Sequence, residues 1–418
     1  MKLMVFMMAF ILLNSMTAYP INAEKTDGKK YVREWWDIDA FFYASGNYSV
    51  TSSFEYEKET PAANLFFTIF DRDSNKFYDL GSYNDSINDI VVEKNFIRYG
   101  KCWLKINYPV FEAYFEKDDK KLFIRLASIS PLTRVASGIA KNIPFGLGYY
   151  NYTFTSKCRA EGWIYINGKK SNFTGIGYYE HVYGNWSYNK PLRCFYHGMA
   201  KDYISLFKWW KQNMSLNFSN LTIWSNNPFG YDWSWGFFDN GYTIFFGNIP
   251  FWIKNIPMGI VYIYDGKKYN EFKLMEYEYL NGIYSNGSFF PTKFKIRARG
   301  NGSLTLAFEM RQNPHIYYDK LHSLYWKNLL LFESPGIIQG WWNGSRKIKL
   351  SGRGEIEIER QNSIMDYNEI NVALKFPYPI GFDFYFISYL LHISLKLRMY
   401  LLPFEFHFSF SKIREQKT

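Results

Sequence analysis

One motif occurs twice in this chain and restricts its fold more than any other feature. Gly175-Ile176-Gly177-Tyr178-Tyr179-Glu180 in the first half returns as Gly352-Arg353-Gly354-Glu355-Ile356-Glu357 in the second. Each copy follows tryptophan and an Asn-Gly pair: Gly162-Trp163 with Asn167-Gly168, then Gly340-Trp341-Trp342 with Asn343-Gly344. Asn-Gly is a strong hairpin turn, and glycine within an extended run marks a bulge or a barrel corner. A dinucleotide fingerprint is excluded, because the motif follows a hairpin and no helix opens after it. Earlier segments repeat in the same order. Trp233-x-Trp235 and Gly241-Tyr242-Thr243-Ile244 echo Trp35-Trp36 and Gly46-Asn47-Tyr48-Ser49-Val50, and Val261 to Asp265 echoes Phe67 to Asp71. Two copies of one strand-built unit are the expectation.

The remaining sequence supports an all-β reading. Aromatic residues make up 21% of the chain, a share suited to strands. Strands are expected at Trp35–Glu55 (a hairpin turning at Ser45-Gly46-Asn47), Leu65–Phe70, Lys76–Leu80, Phe96–Asn107, Val110–Phe115, Leu122–Ala127, Tyr149–Thr155 and Trp163–Ile166. Between the copies, Phe195–Met199 and Tyr203–Trp209 read as possible strands in an Asn-rich excursion. Lys320–Phe332, with apolar Leu321, Leu324, Leu329 and Leu331 and a Pro335-Gly336 stop, reads as helix. After Arg360, Leu391–Met399 and Phe404–Phe410 alternate apolar and polar with period two, and Phe382, Phe384 and Phe386 offer a third strand. Charged residues interrupt every window long enough for a spanning helix.

At 418 residues the chain accommodates two domains and a tail. The expected division is a signal peptide over 1–23, a first domain over 24–228 with a loop-rich linker at its end, a second over 229–360 and an amphipathic β tail over 361–418. The basic start at Lys2, the apolar run Leu3–Leu13 and small residues near Ala18 and Ala23 carry the first of these. An extracellular or cell-surface location follows from it. Eleven Asn-x-Ser/Thr sequons, including Asn47, Asn84, Asn151, Asn172, Asn301 and Asn343, agree. The net charge of +11 is spread without a basic run, so nucleic acid is not an expected partner, whereas a membrane surface met by the tail is. Cys102, Cys158 and Cys194 allow one bridge at most and show no metal-ligand spacing; no metal and no cofactor are expected. His315 and His322 read as ordinary surface histidines.

Chemistry concentrates in Gly175 to Trp186, where Glu180 stands beside His181 among glycines and aromatics. A carboxyl and an imidazole shielded by rings suffice for general acid–base work, although these residues taken alone read first as hydrogen-bonding members of a strand. The repeat separates them. Glu180 has a counterpart in Glu357, but His181 aligns with Ile358, and the residue that breaks an internal symmetry is the better functional candidate. Gly-x-Gly-Tyr-x-Glu-His-x-Tyr-Gly resembles the Tyr-His-Asp-His-x-Trp-Gly signature of the AttH-like and carotenoid hydratase family, and Glu34-Trp35-Trp36 resembles its Glu-Trp-Trp-Tyr opening. Tyr183 stands where that family has Trp, and Asp37 where it has Tyr.

The resemblance, from about Tyr31 to Arg360, implies two tandem lipocalin-like (calycin-type) antiparallel β-barrels. It also implies a long apolar ligand, isoprenoid or lipid, and hydro-lyase chemistry adding water to an alkene. Candidate catalytic residues are His181, Glu180 and Tyr183; candidate ligand-binding residues are Trp186, Trp233, Trp235, Trp35, Trp36 and His197. Asp232 or Asp239 is the expected later acid. A non-catalytic lipid carrier and a cell-surface glycan binder are the alternatives, since aromatic-lined barrels serve all three.

Overall fold

Period-two alternation becomes antiparallel sheet throughout the computed structural model, which describes residues 28–43, 47–187, 194–211, 230–249, 258–285, 288–310, 315–319, 326–363, 367–375, 381–386, 394–401 and 404–412. The first half is a 14-stranded open sheet curled into a half-barrel. At its middle the opening strand Arg33–Phe42 lies between Tyr48–Glu57 and the closing strand Lys169–Asn185. Gly148–Ile166 forms a long hairpin with that closing strand over Asn167-Gly168, both left-handed at φ 52° and 75°. Asparagine and glycine bear this conformation at least cost, so the turn sets the register of both long strands.

The second half repeats the plan. Gly230–Phe238 lies between Thr243–Asn248 and the closing strand Lys347–Ser363, which pairs with Trp326–Asn343. Here Gly302–Met310 also pairs with Trp326–Asn343, so the sheet closes on itself as a barrel. The repeated glycines have a steric cause. A Cβ on Gly175 would lie 2.0 Å from the carbonyl oxygen of Phe41, and one on Gly352 would lie 2.0 Å from that of Phe237. Each motif opens where closing and opening strands approach too closely for a side chain.

Register also corrects the alignment of the copies. Phe42 faces Gly175 as Phe238 faces Gly352. Trp233 and Trp235 therefore occupy the places of Asp37 and Asp39, not those of Trp35 and Trp36; Tyr231 is the counterpart of Trp35.

Among the described residues, three clusters of buried side chains hold the two halves. One fills the half-barrel, with Trp36, Ile38, Ala40 and Phe42 from alternate positions of the opening strand. Another fills the closed barrel around Phe246, Phe294 and Phe308. The third, with Phe41, Phe154, Tyr178, Trp233, Trp235, Phe245 and Tyr262, joins the halves. Phe154 stacks on Phe245 at 4.4 Å, and each polar tip has a partner: the Trp235 indole donates to the Ser156 carbonyl (2.7 Å), and the Tyr262 hydroxyl accepts from the Ala136 amide (3.0 Å). Such tipped aromatics bury a large area without leaving orphaned donors.

Two expectations are corrected. Phe195–Met199 and Tyr203–Trp209 are not strands: Phe195 to Gly198 lead by a turn into the α-helix Met199–Lys211, in which Asp202, Leu206 and Trp209 recur at i, i+4 and i+7 and face inward. Trp326–Asn343 is strand where helix was expected to Phe332; its apolar run fits either period, and pairing with His315–Asp319 and Lys347–Ser363 decides it. Residues 320–325 lie outside the described residues. The tail forms a separate four-stranded sheet in the order Gly381–Phe386, Tyr367–Lys375, Phe404–Lys412, Ser394–Leu401. No helix among the described residues is long and apolar enough to cross a membrane.

Candidate active site between the two halves

Alternation along the two central strands of the first half creates the site. Inward-facing residues of the opening strand enter the half-barrel, whereas Trp35, Asp37, Asp39 and Phe41 face the second half. The closing strand does the same, sending Tyr179 and His181 inward and Tyr178 and Glu180 outward. Asp37 is paired with Glu180 in the ladder, so their carboxyls emerge side by side. They border a cavity of about 230 Å³ lined largely by apolar and aromatic groups, among them Trp35, Tyr152, Trp186, Trp233, Phe245 and Ile260. Glu357 and Glu359 line it from the second half.

The copies carry the same hydrogen bond. The Trp35 indole donates to Glu180 Oε1 at 2.9 Å, and its counterpart, the Tyr231 hydroxyl, donates to Glu357. Around Glu180 the donors multiply: Tyr178 Oη at 2.6 Å, and Tyr152 Oη. The Trp233 indole in turn donates to Tyr152 Oη at 2.9 Å, which ties the second half to the first at this point.

These donors divide the labour between the two carboxyls. Burial raises the pKa of Glu180, but hydrogen bonds from Tyr152, Tyr178 and Trp35 favour its anion. Burial raises Asp37 well above the carboxylate range, and the charges of Glu180 and Asp39 raise it further. Asp37 is therefore the protonated member and shares its proton with Glu180. Its Oδ1 is buried and has no hydrogen-bond partner. Asp39, Glu355 and Glu357 are also pushed up, first by burial and then by the charge of Glu333; Glu357 further raises Asp39 and Glu355, and Glu180 further raises Asp39 and Glu357. Among the described residues no group of side chains is arranged to hold a metal ion.

The expected site residues separate. Glu180, Trp35, Trp186 and Trp233 border the cavity. His181 does not: it is 2% exposed inside the half-barrel, its Nε2 lies 2.8 Å from Glu34 Oε1, and its ring stacks on Trp36 at 5.1 Å. Glu34 also accepts from Tyr56 at 2.5 Å. The imidazole that breaks the internal symmetry thus completes a buried polar network. Tyr183 packs against His181 and Tyr31, and Trp36 lies in the half-barrel core. Trp235 is buried in the interface. His197 is exposed on the turn before the helix, away from the cavity.

Asp232 also lines the cavity, but Arg360 Nη2 holds it at 2.8 Å, with Tyr277 and Tyr279 donating to its other oxygen. Asp239 lies in a different groove, beside Arg72 and Arg353. His315, half-buried, reaches Asp79 of the first half at 3.2 Å; His322 lies outside the described residues. Asp37 is not among the site candidates read from the sequence, although its departure from the opening that this chain resembles was a signal. Among the sequons, Asn151 is buried and donates to Asn142, whereas Asn47, Asn84, Asn172, Asn301 and Asn343 are exposed.

Comparison with known proteins is informative at the level of fold. No protein-family model matches the sequence, and no curated protein matches it. Among solved structures, a candidate AttH from Nitrosomonas europaea is similar, with a TM-score of 0.54 and 11% identity over 84% of this chain and 98% of that one. Kievitone hydratase from Nectria haematococca is similar too, at a TM-score of 0.54 and 14% identity over 83% of this chain and 98% of that one. The chain has the AttH-like fold of two lipocalin-like units in tandem.

Proposed function

We propose that the cavity between the halves binds an apolar, unsaturated ligand of isoprenoid or lipid type and adds water across its double bond. The observation that carries this reading is the Asp37–Glu180 pair: a protonated carboxyl with one oxygen unpartnered, beside a carboxylate held by three donors, in an aromatic-walled cavity. The Asp37 carboxyl gives its proton to one alkene carbon. The positive charge on the other carbon faces Trp35, Trp186 and Trp233, whose rings favour it. A water molecule attacks that carbon, and the Glu359 carboxylate on the facing wall takes the proton it loses. One C–H and one C–O bond form, one π bond breaks, and a proton returned to Asp37 resets the pair. The likeness to kievitone hydratase is consistent with such chemistry and extends only to the fold.

The cavity lies below the range of about 300–1,000 Å³ usual for drug-sized ligands, so it takes the reacting part of a long ligand rather than the whole. Secretion is part of the proposal, resting on the Leu3–Leu13 run and the exposed sequons. A carrier without catalysis is the second reading. It is favoured by the repeat itself, since Glu180 and Glu357 are counterparts with matching donors, as a structural pair would be.

Ligand released by organic solvent from protein purified from its native source, identified by mass spectrometry, supplies the substrate. Incubation in ¹⁸O water then reads incorporation into the product. Asp37→Asn is expected to lower turnover about a hundredfold or more while ligand affinity is retained. Turnover undiminished in Asp37→Asn refutes the acid assignment, and a ligand recovered without ¹⁸O from the unsubstituted protein favours the carrier.

A further inference from the structure

The helix Met199–Lys211 covers the cavity with Leu206 and Trp209. It is anchored from beneath. Asp202, 4% exposed, accepts from the Lys141 amide, Asn142 Nδ2 and Tyr196 Oη, each at 3.1 Å. Tyr203 donates to the Gly146 carbonyl at 2.7 Å, and Lys273 Nζ to the Trp209 carbonyl at 3.2 Å. The only acid of the helix is thereby withdrawn from its outer face.

What remains outside is cationic and apolar. Lys201, Ile204, Lys208 and Lys211 form one exposed ridge. Ile204 is 45% exposed, and Phe195, just ahead of the helix, is 63% exposed, more than any other large hydrophobic side chain among the described residues. Lysines in the last turn are explained by the helix dipole, but Lys201 in the first turn is disfavoured by it. Folding likewise does not require Phe195 and Ile204 in water. Lysines flanking protruding apolar groups match the charge and apolar interior of an anionic bilayer surface.

We propose that this outer face docks on an anionic lipid bilayer, so that the cover of the cavity sits at the membrane from which an apolar ligand is drawn. The inference rests on the cavity being an apolar-ligand site, but the docking is measured independently of it. The full chain is sedimented with vesicles of phosphatidylcholine alone or mixed with phosphatidylglycerol, at low and high salt. Lys201→Glu with Lys208→Glu, and Phe195→Ser with Ile204→Ser, are compared after circular dichroism has shown the sheet intact.

The expected result is binding to the anionic vesicles only, reversed by salt and reduced about tenfold or more in each double variant. Equal binding to both vesicles, no binding, or binding undiminished in the variants overturns the proposal; the last would assign the contact to another surface, such as the tail. Fluorescence of an apolar dye in the unsubstituted protein tests the cavity separately, so its failure would count against the ligand reading and leave the vesicle result standing.

Discussion

Glu355 provides a direct test of the carboxyl cluster between the halves. It is 3% exposed, faces Trp235 in the ladder and is held protonated first by burial, then by Glu333, Asp39 and Glu357, with Arg72 acting in the opposite direction. A carboxyl protonated in the folded protein must ionise on unfolding at neutral pH. Its stabilising contribution is thus complete below the unfolded pKa of about 4.3 and is lost as pH rises toward the folded value. The loss is about 1.4 kcal/mol for each pH unit over which Glu355 stays protonated in the fold, and so at most about 3 kcal/mol between pH 5 and 7. Glu355→Gln keeps the shape and removes the proton. Its stability relative to the unsubstituted protein should therefore rise by up to about 3 kcal/mol over that interval, less whatever neighbouring carboxyls take up. Urea unfolding followed by tryptophan fluorescence at pH 5, 6 and 7 measures this. A difference independent of pH, or one that shrinks as pH rises, would show that Glu355 is ionised in the folded protein and that the cluster is not a store of protons.

Three further outcomes follow from named contacts. His181→Ala leaves the Glu34 carboxyl buried without its imidazole partner and should cost about 3 kcal/mol in unfolding experiments, partly restored by adding Glu34→Gln, while dye binding in the cavity is unchanged. Gly352→Ala drives a Cβ against the Phe237 carbonyl and should cost about 2 kcal/mol or more in denaturant melts; an unaltered midpoint would disprove the close approach. Asp202→Ala removes the anchor of the covering helix. Hydrogen exchange over 199–211 should quicken severalfold while the strands of both halves keep their protection, and uniform protection would refute the anchoring.

Local patterns made the all-β plan, the doubling and the tail strands legible, because side-chain alternation and turn chemistry are written residue by residue. Asn167-Gly168 and the two Gly-x-Gly-x-x-Glu runs needed no tertiary knowledge to be read as a hairpin and paired copies. The apolar stretch ending at Phe332 reads as helix in the sequence yet is strand, because a continuous greasy run carries no period and only hydrogen bonds to neighbouring strands choose its conformation. The site divides likewise. Glu180 and the tryptophans at 35, 186 and 233 stand out in the sequence and border the cavity, yet Glu180 and His181, neighbours in the chain, point to opposite faces of one strand. Which face meets the other half is set by how two sheets pack, a long-range matter that no local motif encodes. That packing left the histidine sealed within the half-barrel and gave the cavity to Asp37, a residue whose chemistry depends on burial beside Glu180 and hence on contacts that exist only once the chain has folded.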